Sequence, residues 1–366
     1  MTAATYDFSK QTNYLERKMF LDPAGPVTTQ RYEEVKYPKI EKFDQLARGF
    51  FWTPEEVSLM KDKADFKEAS KAIRHIFTSN LLRQTALDSI QGRGPTQIFL
   101  PVISIPELEA LCLGWGFFET CIHSRAYSHI IRNIYNVPKD EFNKIHEIES
   151  ISTMASNIGK YYDDLHVLNC KKTAGLAVTE HEHCKAIWLA LNASYALEAI
   201  RFMVSFATSL GMVENKIFIG NGNIISLILQ DELLHTEWSA FLLNQNVKDD
   251  SRFAELRNEC KHEVYEMYMG VIAEEKAWAD YLFKEGVVIG LNAGILKEFV
   301  DWMAVTKLKD IGIKYEFAAP RTNPIPWFNK HSEPSKKQTA LQESESTSYV
   351  IGVMSDDIDY DQLPNL

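Results

Sequence analysis

The sequence predicts an all-α helical bundle, and three observations support that prediction. Apolar residues recur at helical spacing along a series of long segments, and short turn-forming stretches separate those segments. The chain also has few glycines and prolines, 17 and 13 among 366 residues, which disfavours turn-dense β proteins. No segment has the pattern expected of a strand. Long helices with short connections pack as a bundle.

The predicted helices follow one another between residues 37 and 313. Pro38 suits the first position of the first helix, and residues 53–56 (TPEE) have the form of a capping box ahead of the next. Gly92 and Gly94 end the apolar pattern of the second helix. The predicted helices span residues 37–52, 66–91, 104–135, 141–170, 180–210, 222–245, 252–283 and 293–313.

Composition divides the chain into three parts. We expect an extended leader over residues 1–30, a single helical domain over residues 31–330 and a flexible acidic tail over residues 331–366. The tail carries seven acidic residues and two lysines and has few large apolar side chains. Such a composition buries too little apolar area to offset the entropy of ordering.

Charge and cysteine content exclude several classes of protein. With 39 basic and 50 acidic residues the net charge is −11, so a nucleic-acid partner is not expected. The five cysteines form no C-x-x-C pair and no disulfide framework, which indicates a reducing compartment. The N-terminus has no apolar run of signal-peptide type, and we expect a cytoplasmic protein, in the host cytoplasm if the chain is viral.

Residues 186–212 form the longest apolar stretch. Asn192, Glu198 and Arg201 interrupt it, so the sequence predicts a buried core helix and no membrane span. Glu198 lies on the same helical stripe as Phe202 and Phe206 and therefore points into the core. A buried carboxylate needs a compensating partner, which could be a metal ion or an arginine such as Arg201 or Arg125.

Other acids and histidines also lie on apolar helix faces. Glu232 and His235 are one helical turn apart on the predicted helix 222–245. The helix that begins at residue 104 contributes Glu119 and His123, and Asp88 lies on the helix before it. Four carboxylates and two imidazoles from four helices suit a pair of iron or manganese ions better than zinc or calcium. A single Glu-x-x-His pair is weak support, but four separate buried acids are hard to explain otherwise.

These residues belong to sequence blocks that resemble a known family. The blocks are residues 50–57 (FFWTPEEV), 87–93 (LDSIQGR), 103–109 (ISIPELE), 123–133 (HSRAYSHIIRN), 196–202 (ALEAIRF), 231–235 (DELLH) and 321–327 (RTNPIPW). In this order they are similar to the radical-generating β subunit of class I ribonucleotide reductase, a ferritin-like bundle with a dimetal core. The similarity covers most of the chain.

The resemblance implies two metal sites and a stable tyrosyl radical. The metal ligands would be Asp88, Glu119 and His123 for one ion and Glu198, Glu232 and His235 for the other. The implied cofactors are two iron ions per chain, with manganese or a mixed pair as alternatives, and dioxygen for activation. Tyr127 matches the radical tyrosine, and Phe202, Phe206 and Ile228 match the apolar pocket around it.

The resemblance also implies a path for the oxidising equivalent. Trp52 and Asp231 match an internal relay, Tyr349 matches the tail tyrosine that hands the equivalent to the partner, and Glu343 matches its acidic neighbour. The implied partners are a large catalytic subunit, docked by the C-terminal tail, and a second copy of this chain in a homodimer.

Two positions depart from the family pattern. The family has Glu-x-x-His on the helix of the radical tyrosine, whereas Glu119 and His123 are separated by one residue more, and Gln230 stands where the family has arginine. Trp115, Glu119, His123, Tyr127 and Ile131 are spaced by four. At 3.6 residues per turn each step of four drifts by about 40°. We therefore expect a π-bulge near residues 120–122.

The sequence leaves three other functions open. A ferritin-like metal-storage protein would have no use for Tyr349 on an acidic tail. A diiron oxygenase of a substrate would need an open apolar pocket instead of a closed one around Tyr127. An inactive scaffold would result if the additional residue between Glu119 and His123 had spoiled the site.

Overall fold

The structure, a computed structural model, describes residues 13–332. Within that range the chain is helical, and its only extended pairings are isolated bridges between Phe20 and Ile103 and between Val288 and Leu291. The all-α prediction is confirmed. Tyr349, Glu343 and all but the first two residues of the predicted tail lie outside the described residues, as do residues 1–12 of the leader. The predicted division into leader, domain and tail stays a prediction.

The described residues form fourteen α-helices. Their bounds are Pro38–Gly49 (α1), Met60–Glu68 (α2), Lys71–Gln91 (α3), Pro106–Phe117 (α4), Ser124–Ile134 (α5), Pro138–Asn143 (α6), Glu149–Thr173 (α7), Glu180–Ala196 (α8), Phe202–Glu214 (α9), Ile219–Asp249 (α10), Ser251–Glu259 (α11), Lys261–Leu282 (α12), Ala293–Asp310 (α13) and Phe328–Ser332 (α14). Three π-helical segments add to them, at Pro95–Phe99, Phe118–His123 and Leu197–Arg201. The second joins α4 to α5 and the third joins α8 to α9, so each pair is one continuous helix with a wide turn inside it.

Three of the predicted helices are divided in the structure. The predicted helix 66–91 is divided because Ser70 is extended and caps α3, its hydroxyl accepting a hydrogen bond from the Ile73 amide. The capping box at Thr53 forms, but it caps a single 3₁₀ turn, Pro54–Glu56. The predicted helices 141–170 and 252–283 are also divided, at residue 148 and at Cys260.

The continuous helix Glu180–Glu214 lies at the centre of the bundle. It is the one helix of the described residues that is long and apolar enough to cross a membrane, with a mean hydropathy of 1.4, yet 94% of that window is buried inside the protein. Its apolarity is therefore explained by packing against neighbouring helices. The predicted core helix 186–212 is confirmed.

A buried ion cluster joins α12 to the helices that carry Asp88 and Glu198. Arg83 and Arg201 both contact the Glu275 carboxylate, the latter at 2.8 Å, and all three side chains are at most 1% exposed. Arg201 also pairs with Glu274 at 2.7 Å. The alternative that Arg201 compensates Glu198 is therefore wrong, because its guanidinium is held by α12.

The ion cluster generates a prediction about stability. Glu275→Gln removes the carboxylate shared by the two buried arginines, and breaking such a network should lower the free energy of unfolding by about 3–5 kcal/mol. Denaturant unfolding of the metal-free protein measures it. The matched control is Glu285→Gln, in the surface pair with Lys71, which should change stability little. Equal stability of the two variants would contradict the structural importance of the cluster.

Candidate metal centre

Four helical segments carry the six predicted ligands to one point in the core. Asp88 lies near the end of α3, Glu119 and His123 lie in the wide turn between α4 and α5, and Glu198 lies in the wide turn between α8 and α9. The fourth segment, α10, carries Glu232 and His235 on one face. All six side chains are at most 1% exposed.

The six side chains form two overlapping groups. Asp88, Glu119, His123 and Glu232 make up the first, and Glu119, Glu198, Glu232 and His235 make up the second. Within each group the ligand atoms lie within 4.8 Å of one another. Glu119 and Glu232 belong to both groups, and each offers one oxygen to either side. Carboxylates shared in this way can bridge two metal ions.

In the first group the acids surround the Nδ1 atom of His123. It lies 3.5 Å from Asp88 Oδ1, 3.4 Å from Glu119 Oε2 and 3.2 Å from Glu232 Oε1. A space bounded by three carboxylate oxygens and one imidazole nitrogen matches the oxygen and nitrogen donors that iron and manganese accept.

The second group repeats this arrangement around His235. Its Nδ1 atom lies 2.9 Å from Glu119 Oε1, 3.2 Å from Glu232 Oε2 and 3.5 Å from Glu198 Oε2. The two imidazole rings are 5.9 Å apart between centroids.

The pattern of unsatisfied atoms fits a pair of cations. Buried atoms that make no hydrogen bond include both oxygens of Asp88, both of Glu232, Glu119 Oε2, Glu198 Oε2 and the Nδ1 atoms of His123 and His235. Buried polar atoms without partners are rare and costly. Here they approach one another without hydrogen-bond geometry, as atoms aimed at a common cation do. The residues therefore fit two metal ions.

The surrounding acids favour the protonated form of both histidines. Burial lowers the pKa of His123, but its contacts with Asp231, Asp88 and Glu119 outweigh burial and raise that pKa well above its usual value. Burial likewise lowers the pKa of His235, but the negative charges of Glu232 and Glu198 outweigh burial and raise that pKa well above its usual value. A metal ion must displace these protons to reach the imidazole nitrogens.

The wide turn predicted near residues 120–122 is confirmed by the π-helical segment Phe118–His123. It absorbs one residue and lets Glu119 and His123 share a face. The segment Leu197–Arg201, which holds Glu198, was not predicted, because the spacing of Glu198 to Phe202 and Phe206 is also compatible with regular helix.

A second layer of hydrogen bonds orients His123. Trp52 Nε1 donates a hydrogen bond of 2.9 Å to Asp231 Oδ2, and the same oxygen lies 3.0 Å from His123 Nε2. Asp231 therefore holds the imidazole proton at Nε2 and leaves Nδ1 free for a metal ion. Trp52 is buried, and its ring centroid lies 6.3 Å from that of His123.

Sequence reasoning missed three residues that contact the ligands. Trp115 Nε1 donates to Glu198 Oε1 at 3.0 Å, and Gln91 Nε2 donates to the same oxygen at 2.6 Å. Trp238 stacks on His235 with ring centroids 4.5 Å apart. Trp115 lies on the apolar stripe of its helix and could have been found from it, whereas Gln91 carries no signal in the spacing.

Tyr127 is completely buried one turn beyond His123. Burial, followed by the negative charge of Asp88, raises the pKa of its hydroxyl well above the usual value, so the hydroxyl keeps its proton. Phe202, Phe206 and Ile228 are also fully buried, and the two phenyl rings stack at 5.5 Å. That these three residues shield Tyr127 stays a prediction.

A helical bundle with two shared carboxylates, two further acids and two histidines in its buried core defines a ferritin-like dimetal-carboxylate protein. Comparisons with known proteins narrow this class. A family model described as "Ribonucleotide reductase, small chain" matches residues 30–324. The chain belongs to this family of ribonucleotide reductase small subunits.

Curated relatives agree with the family model. The chain is 41% identical over 375 residues to ribonucleoside-diphosphate reductase 1 subunit beta of Escherichia coli O157:H7, covering 98% of both chains. It is 36% identical over 352 residues to the corresponding beta subunit of Enterobacteria phage T4, covering 90% of both.

A solved ribonucleotide reductase R2 subunit from Clostridium botulinum has the same fold. It superposes with a TM-score of 0.76 at 21% identity, over 91% of this chain and 99% of that one. A dimanganese(II)-NrdF from Streptococcus sanguinis superposes with a TM-score of 0.69 at 17% identity, over 84% and 100%.

The shared acids generate a prediction about metal stoichiometry. Glu232→Ala removes a carboxylate that belongs to both groups and should abolish binding of both ions, whereas Asp88→Ala should remove mainly one. Anaerobic titration with Fe(II) and metal analysis measure the uptake. Glu237→Ala, at an exposed acid on the same helix, is the control and should bind like the wild type. Equal losses in the Asp88 and Glu232 variants would contradict a bridging role for Glu232.

Proposed function

We propose that this chain is the radical-generating small subunit of a class I ribonucleoside-diphosphate reductase. In this proposal Tyr127 is oxidised to a stable radical, and the oxidising equivalent passes to a large catalytic subunit that reduces ribonucleotides. The observation that carries the proposal is the buried, carboxylate-rich centre beside a fully buried tyrosine, in a chain 41% identical along nearly its whole length to a ribonucleoside-diphosphate reductase beta subunit.

The bound metal pair would supply the activation of dioxygen and the one-electron oxidation of Tyr127. The protein would exclude water from the surroundings of Tyr127. A phenoxyl radical persists only where water and reductants cannot reach it, and Tyr127, Phe202, Phe206 and Ile228 all have no exposed surface. The high pKa of Tyr127 means that oxidation must also remove its phenolic proton.

We assign Trp52 and Asp231 to the start of the transfer path. Asp231 Oδ2 accepts a hydrogen bond from Trp52 and lies 3.0 Å from His123 Nε2, and this supports the assignment, because the two short contacts connect a buried indole to a metal ligand. Tyr349 and its neighbour Glu343 complete the proposed path in the tail, outside the described residues.

Two iron ions are the proposed cofactor. The donor set of carboxylate oxygens and imidazole nitrogens accepts iron, manganese or one of each. The Streptococcus sanguinis relative is described as a dimanganese(II) protein, and at 17% identity it supports the shared fold only.

The proposed partners are a large catalytic subunit, docked by the tail, and a second copy of this chain. We also propose a cytoplasmic location, supported by five free cysteines in the described residues. Metal storage and substrate oxygenation are disfavoured, because the relatives that match along the full length are reductase beta subunits.

Substitution of Tyr127 tests the proposal. Tyr127→Phe should keep metal binding and lose the tyrosyl electron paramagnetic resonance signal that appears after Fe(II) loading and exposure to air. Tyr268→Phe is the matched control, since Tyr268 is equally buried and also has a strongly raised pKa, yet it should leave the signal unchanged. A signal of unaltered shape and yield in Tyr127→Phe would place the radical on another residue.

The proposed role of the tail generates a separate prediction. Deletion of residues 360–366 should abolish or greatly weaken binding to the large subunit while metal and radical remain, because the terminal apolar residues would anchor a flexible tether. Tyr349→Phe should bind normally and fail in turnover. Binding assays with a large subunit and turnover measurements check both. Undiminished binding by the truncated chain would place the docking surface on the helical body.

A further inference from the structure

The last turn of α3 contacts both wide turns of the metal centre. We propose that this turn, residues 88–92, is a positioning clamp that sets the direction of metal ligands on two other segments. Asp88 is itself a ligand of the proposed centre. Gln91 and Gly92 contact the wide turns that carry Glu198 and Glu119. The inference rests on the metal binding of the proposed function but requires neither a radical nor a partner subunit.

The first half of the clamp is the side chain of Gln91. It is fully buried, and its Nε2 donates hydrogen bonds to Glu198 Oε1 at 2.6 Å and to Ser194 Oγ at 2.8 Å. The Tyr162 hydroxyl donates a 2.6 Å hydrogen bond to Gln91 Oε1 and so fixes the orientation of the amide.

These contacts give the two carboxylate oxygens of Glu198 different surroundings. Oε1 accepts hydrogen bonds from Gln91 and Trp115, while Oε2 accepts none and lies 3.5 Å from His235 Nδ1. The carboxylate is therefore held with one oxygen turned towards the metal position. Without Gln91 only Trp115 would hold Oε1, and the carboxylate could rotate more freely about its last bond, which costs little in a carboxylate.

The second half of the clamp is the backbone of Gly92. Its carbonyl oxygen accepts a 3.1 Å hydrogen bond from Thr120 Oγ1, in the wide turn between Glu119 and His123. The approach is close, since a β-carbon on Gly92 would lie 2.5 Å from Thr120 Oγ1. The turn that contains the additional residue of this chain thus rests against the end of α3.

Both wide turns interrupt the regular hydrogen-bond pattern of the helices that contain them, and such turns occur frequently at functional sites. The end of α3 contacts each of them. Partners behind the ligands typically change metal affinity by roughly 10–100-fold when they are removed. A residue that acts only on folding would change stability without a selective effect on one of the two ions.

Gln91→Leu tests the first half of the clamp, and Gln84→Leu is its matched control. Both glutamines lie on α3 and are fully buried, but the Gln84 amide makes no hydrogen bond within the described residues. Calorimetric titration of the whole chain with Fe(II) or Mn(II) under anaerobic conditions gives an affinity for each ion. We expect roughly 10–100-fold weaker binding of one ion in Gln91→Leu and wild-type binding in Gln84→Leu. Wild-type affinities for both ions in Gln91→Leu would overturn the proposal.

Thr120→Val tests the second half without disturbing the core, because the Thr120 side chain is exposed. It keeps the shape of the residue and removes the hydrogen bond to Gly92. We expect the variant to melt like the wild type and to bind one ion more weakly, and unchanged affinities would overturn this half.

Failure of the proposed function can be distinguished from failure of the clamp. A wild-type chain that binds two ions but forms no tyrosyl radical would contradict the proposed function alone, because metal titration of the variants would still show whether residues 88–92 position the ligands.

Discussion

Burial of four carboxylates and two imidazoles in the core is the constraint on which the rest of the structure depends. Moving one ionised side chain out of water costs several kcal/mol even after the protein relaxes. No lysine or arginine is paired with Asp88, Glu119, Glu198 or Glu232 in the described residues. Without a cation, protons must compensate these charges, on the histidines and on Asp88 and Glu198, since burial raises the pKa of both carboxyl groups well above the usual value. Bound cations would also satisfy the oxygens that lack hydrogen bonds.

The bundle departs from regular helix where this constraint acts. Two of its long helices widen by one residue, at Phe118–His123 and at Leu197–Arg201, and each wide turn contains an acid of the site. Arg83, Arg201 and Glu275 form a separate buried cluster that connects α3 and the wide turn Leu197–Arg201 to α12. The end of α3 and this cluster both contact segments that carry acids of the site.

Much of this arrangement could be predicted from the sequence, because it follows from periodicity. Glu198 and Glu232 interrupt apolar stripes, and the spacing by four from Trp115 to Ile131 cannot stay on one face of a regular helix. The fold class and one wide turn followed from these patterns. The partner of Arg201 could not be predicted, since it lies on a helix more than seventy residues away. Gln91 was missed for the same reason, because a hydrogen bond across the bundle leaves no trace in local spacing.

Anomalous diffraction from crystals of the wild-type chain loaded with iron would test the central claim most directly. The account predicts two peaks at the iron edge in each chain. One should lie among Asp88, Glu119, His123 and Glu232, and the other among Glu119, Glu198, Glu232 and His235. A centre with a single peak, or with iron bound only at surface carboxylates while the buried acids pair with protonated histidines, would contradict it.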